Sequence, residues 1–65
     1  MIKVFLVGTA EELFQLNISL APSIGDELIL DDEPYLVTGR RFMLEDTPSD
    51  IKNVDYTILY VQKNL

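Results

Sequence analysis

The sequence predicts a mostly β protein, a single small, strongly bent, five-stranded antiparallel barrel spanning residues 1–65. Three observations lead there. Short apolar runs such as IKVFLV, ELIL, PYLV and YTILYV recur along the chain, separated by Gly, Pro, Asp and Asn. Within several segments apolar and polar residues alternate with a period of two, the pattern of a half-buried strand. The inward parity then changes across Gly39, which calls for a bulge or sharp bend. Five strands in 65 residues are too few for a sandwich, so a sheet curled over onto itself is the economical solution. With 48% hydrophobic residues the chain can build a core, and with no cysteine it must do so without disulfides or thiolate metal sites.

The first strand is IKVFLV, stopped by Gly8. Thr9 and Glu12 have capping-box spacing, so a short helical turn near 9–16 competes with a turn followed by a strand. The strict alternation of Phe14, Leu16, Ile18 and Leu20 with Gln15, Asn17 and Ser19 favours the strand, over about 13–20. Pro22 and Gly25 mark a loop. ELIL and PYLV follow as a hairpin. Pro34 has no N–H to close a two-residue turn, so a looser loop over 31–34 is expected, with Leu30 opposite Tyr35 and Leu28 opposite Val37 on one face. A bend at Gly39-Arg40 would turn Arg41 outward and bring Phe42 and Leu44 to the core. EDTPSDIKN reads as a polar loop, and VDYTILYVQK as a last strand that is apolar on both faces.

The stretch PSIGDELILDDEPYLVTGRRF, about a third of the chain, resembles SH3-like small barrels in its order of proline, glycine-aspartate, strand, turn, aromatic, strand and bend. Among such barrels are short uncharacterised proteins of phages and mobile elements. The resemblance implies a fold class and carries over no catalytic or binding residue. Peptide-binding SH3 domains line their groove with several aromatics. This chain has no tryptophan, which counts against proline-rich peptide binding.

Charge narrows the partners. The net charge is −6, and residues 1–33 hold all of it, one lysine against seven acids; the second half carries four of each sign. Nucleic acid and anionic membranes repel such a chain, so direct nucleic-acid binding is disfavoured, whereas a basic protein surface attracts it. No apolar run approaches the ~18 residues of a membrane span. The short MIKVFLVGTA run only faintly imitates a signal peptide, which makes cytoplasmic placement the default.

Chemistry is sparsely equipped. There is no histidine, and the serines lie in no nucleophile motif, so the expectation is no catalytic residue, no cofactor and no enzyme. Asp26, Glu27, Asp31, Asp32 and Glu33 match no EF-hand spacing and fall at the two ends of a strand about 13 Å apart. They read first as solvated turns and edge protection, with no metal held. As a binding face they would dock a basic partner. Small acidic phage proteins that imitate nucleic acid to block host nucleases resemble this chain in size and charge. Arg40 and Arg41 read as an anion clamp or, more simply, as partners of local acids such as Glu27. Phe5, Val7, Tyr56 and Tyr60 are candidates for an exposed apolar patch, because the first and last strands are apolar on both faces while a small barrel covers one. The expected role is a non-enzymatic protein–protein interaction module, binding a protein partner or a second copy of itself. The alternatives are the acidic inhibitor and a structural component of a larger assembly.

Overall fold

A computed structural model describes residues 1–64. It contains β1 (Ile2–Leu6), β2 (Glu12–Leu16), β3 (Glu27–Leu30), β4 (Glu33–Leu44) and β5 (Val54–Lys63), in one sheet of order β2-β1-β5-β4-β3. There is no helix among the described residues. Three pairings are antiparallel, as expected. The fourth, β1 with β5, is parallel, so the sheet is mixed rather than wholly antiparallel. The sheet curls into a half-barrel that leaves β2 and β3 as open edges.

The core lies on the concave face. Ile2, Val4, Tyr35, Val37, Leu59 and Val61 are buried there, with Leu13, Phe14, Leu16, Ala21, Leu28 and Leu30 packed against them. Curling brings β2 over β4: the Phe14 and Tyr35 rings meet edge to face, 6.5 Å between centroids at 68°. Thr57 is also buried on this face, and toward Phe42 the described residues leave the face exposed. The radius of gyration is 12.9 Å, against about 11 Å for a compact domain of this length.

Residues 7–12 hold a turn, not a helix. Thr9 spends its hydroxyl on the turn, donating to the Leu6 carbonyl and accepting from the Glu11 N–H. Glu12 starts β2, and its carboxylate accepts from the Gln15 side chain. The strand ends at Leu16, opposite Ile2, so the alternation through Ile18 and Leu20 continues without a neighbouring strand.

The β3–β4 hairpin is tighter than expected. Asp31 and Asp32 both have positive φ, 51° and 64°, as a two-residue type I′ turn requires, and Leu30 pairs with Glu33. The closing donor belongs to Glu33. Pro34 stands one step further on, opposite Ile29, and faces away from β3 toward Asn64, whose N–H its carbonyl accepts, so its missing N–H costs no bond to β3. The true register is displaced from the expected one by two residues. Leu28, now opposite Tyr35, therefore still faces the core with Leu30 and Val37.

The bulge in β4 falls at Thr38-Gly39, one residue before the expected site: Val37 pairs with Val61, and Gly39 with Tyr60. A Cβ on Gly39 would stand 3.3 Å from Tyr60 Cδ2, so glycine admits the ring at the bend. The parity change is real, since Arg40 and Phe42 lie opposite the buried Leu59 and Thr57. Phe42 and Leu44 are nevertheless not core residues. They are 50% and 56% exposed, because no described residue covers the concave face at that end.

Candidate functional site

The uncovered end of the half-barrel is an apolar groove of about 310 Å³. Met1, Ile18, Leu20, Ala21, Phe42 and Val54 supply its apolar lining, and Arg40, Asp55 and Thr57 are among its polar members. Strand register positions the floor. Thr57 is buried between Ile2 of β1 and Phe42 of β4, and it donates its N–H to the Met1 carbonyl. Leu44, opposite Val54, extends the apolar surface to the end of β4.

One wall is the segment between β2 and β3. At one end it is tied by Leu16 against Ile2. At the other, Asp26 Oδ2 accepts the Ser23 N–H at 2.7 Å, and Gly25, with φ of 96°, donates its N–H to Val37. Glycine takes that backbone conformation without strain. Between these ties Ile18 and Leu20 hang at the groove, and Leu20 is 83% exposed. The segment therefore presents Ile18 and Leu20 to solvent, while Ala21 packs against the core.

The convex face holds the aromatic candidates. Phe5 pairs beside Tyr60, and Tyr56 lies further along the same face of β5 with Ile58 between. All four are half-buried. Val7 continues β1, donating to the Val61 carbonyl, and is exposed. Cations cover two of the rings, Lys3 Nζ at 4.5 Å from the centre of Tyr56 and the Arg41 guanidinium at 5.6 Å from Tyr60. Arg40 lies 5.2 Å over Phe42 on the groove side. Neither arginine forms an ion pair with Glu27 or any other acid among the described residues, contrary to the expectation from sequence.

The acidic residues are dispersed among local tasks. Asp26 caps its loop, and Glu27 accepts from the Asn64 side chain at 3.0 Å. Asp31 and Asp32 form the exposed hairpin tip. Glu33 pairs with Lys63 at 3.1 Å and accepts the Tyr35 hydroxyl at 3.2 Å. Those bonds hold the Glu33 carboxyl below its ordinary range, with the Lys63 hydrogen bond the main cause. Burial first, and the Glu33 carboxylate second, push the Tyr35 phenol up. The described residues contain no group of three or more His, Cys, Asp or Glu side chains placed to hold a metal ion.

Sequence reasoning put the apolar patch at Phe5, Val7, Tyr56 and Tyr60. It missed Met1, Ile18, Leu20, Leu44 and Val54 as surface groups. The available signal was the run of Ile18 and Leu20 into a polar, proline-bearing segment. No protein-family model, no curated protein and no solved structure matches the chain.

Proposed function

We propose that the protein is a non-enzymatic interaction module that binds protein through the apolar groove at the open end of its half-barrel. One observation carries this reading. Of the ten large apolar side chains that stand exposed, five line this groove and Leu44 adjoins it, while six are buried in the core. A contiguous exposed apolar surface bordered by charge is the anatomy of a protein contact. Arg40 and Asp55 at the groove, with Glu45 and Asp46 past the end of β4, supply that border. The half-buried aromatic strip on the convex face is a second contact surface, and the acids at the hairpin tip favour a basic partner over nucleic acid. The acidic-inhibitor reading has less to stand on, because Asp26, Glu27 and Glu33 are each engaged locally.

The test is affinity capture with the intact chain and a Leu20→Glu variant, at low and high salt. Leu20 is exposed, so the substitution leaves the fold intact and puts a carboxylate into the groove. Proteins kept by the unaltered chain through high salt and lost by the variant support the groove. Capture that vanishes in salt and ignores Leu20→Glu contradicts it and favours the acidic surface.

A further inference from the structure

The outer side of β4 past the bulge is a free strand edge. β3 covers β4 only as far as Leu36, and residues 25–26 bond to Val37. From Arg40 to Leu44 no backbone or side-chain hydrogen bond among the described residues reaches the side away from β5. Which groups point there follows from the ladder. Thr57 spends its N–H on Met1, so Phe42 opposite it does not bond to β5 and directs its own N–H and carbonyl outward. Glu45 donates to Asn53, on the β5 side, so Leu44 also points outward. By the same alternation Arg40 points outward, and Arg41 and Met43 bond to β5.

That edge reads Arg40-Arg41-Phe42-Met43-Leu44-Glu45-Asp46, two cations, three apolar residues and two anions. It is complementary to its own reverse. From this we infer that two copies of the chain join through their β4 edges, antiparallel about a two-fold axis at Met43. The inference goes beyond the groove reading by adding a strand-edge contact beside the groove, and it rests on that reading for the use of Phe42 and Leu44. Only outward-pointing residues can exchange bonds, so Phe42 must meet the partner's Arg40, Phe42, Leu44 or Asp46; an axis at Arg41 sets Phe42 against the partner's Arg40 and leaves the acids unpaired. With the axis at Met43, Phe42 bonds to the partner's Leu44. Arg40 then stands opposite the partner's Asp46, and Arg41 opposite the partner's Glu45. Shifting the axis to Phe42 sets Arg40 against the partner's Leu44. Shifting it to Leu44 sets Phe42 against the partner's Asp46. The Met43 register alone pairs every charge with its opposite and keeps Phe42 and Leu44 together on the groove side. The result is a continuous ten-stranded sheet with an isologous contact. A strand pair this short makes a weak dimer, whose Kd rises with salt.

Sedimentation from about 10 µM to 1 mM tests this. Arg40→Glu/Arg41→Glu in one variant, and Glu45→Lys/Asp46→Lys in another, each weaken self-association at least tenfold. Mixed one to one, the two variants form a heterodimer, because every opposed pair is again of opposite sign. Glu45 also accepts hydrogen bonds from Asn53, so Leu44→Pro provides a variant free of that contact. It removes an outward N–H, spares the ladder to β5, and yields a monomer. A chain that stays monomeric to 1 mM, variants that dimerise as the original does, or a dimer whose charge variants fail to combine would each overturn the proposal. A monomeric chain whose captured partner is lost on Leu20→Glu refutes the self-pairing and leaves the groove standing. A dimer of the stated register, with capture indifferent to Leu20→Glu, does the reverse.

Discussion

Tyr35, Glu33 and Lys63 join the hairpin to the end of β5. The buried Tyr35 ring carries its hydroxyl out to Glu33, which also holds Lys63. The pKa of Glu33 is lowered from 4.5, chiefly by the Lys63 hydrogen bond, so its contribution is present above that pH and lost as pH falls through the folded value. The pKa of Lys63 is raised from 10.5 by the Glu33 hydrogen bond, and that of Tyr35 from 10.0 by burial. Their contributions are present below those values and lost as pH rises through the folded ones. The clasp therefore operates between about pH 4.5 and 10. In urea titrations across pH, Glu33→Gln lowers the unfolding midpoint at neutral pH and flattens its decline below pH 4.5; equal acid slopes in the two proteins would contradict the clasp. None of this is legible in sequence, because Glu33 and Lys63 are thirty residues apart and meet only through the register of β4 on β5.

At the level of elements, the sequence showed which face each strand buries better than where each strand stops. The limits of β5 follow directly from its apolar run. The hairpin register differs by two from the expected one because the turn closes on the Glu33 N–H, and the lack of an N–H at Pro34 does not bear on it. Aspartate tolerates positive φ better than most residues, and that makes the I′ turn available. A two-residue error preserves facing, since side chains repeat with that period. Asp32→Gly relieves the positive φ of Asp32 and stabilises the fold by about 1 kcal/mol, read as a higher denaturation midpoint with unchanged slope. A loss of stability would mean that the carboxylate, not the backbone, sets this turn. The end of β2 was invisible for a different reason. Alternation persists to Leu20, but the strand lasts only as long as β1 lies beside it. That mismatch releases Ile18 and Leu20 to the groove, so the failure of the periodicity marks the candidate site.

Across the whole molecule, one face of a single sheet must serve as the core, and twelve residues fill only part of it. The parallel β1–β5 pairing sets β1 beside the centre of the sheet and sends β2 to the far edge, where Phe14 closes one end over Tyr35. Among the described residues nothing equivalent closes the other end. The groove, the exposed Phe42 and Leu44 and the free β4 edge are thus consequences of one topological fact. Their placement depends on long-range pairing, which local patterning does not encode. Amide hydrogen exchange on the dilute chain, resolved residue by residue along β4, tests this openness most directly. The half-barrel predicts alternation: Arg41 and Met43 protected by β5, with Arg40, Phe42 and Leu44 exchanging close to the rate of an unstructured chain. Uniform protection from Arg40 to Leu44 in the monomer would mean that the edge is covered and the barrel closed, and would contradict the account.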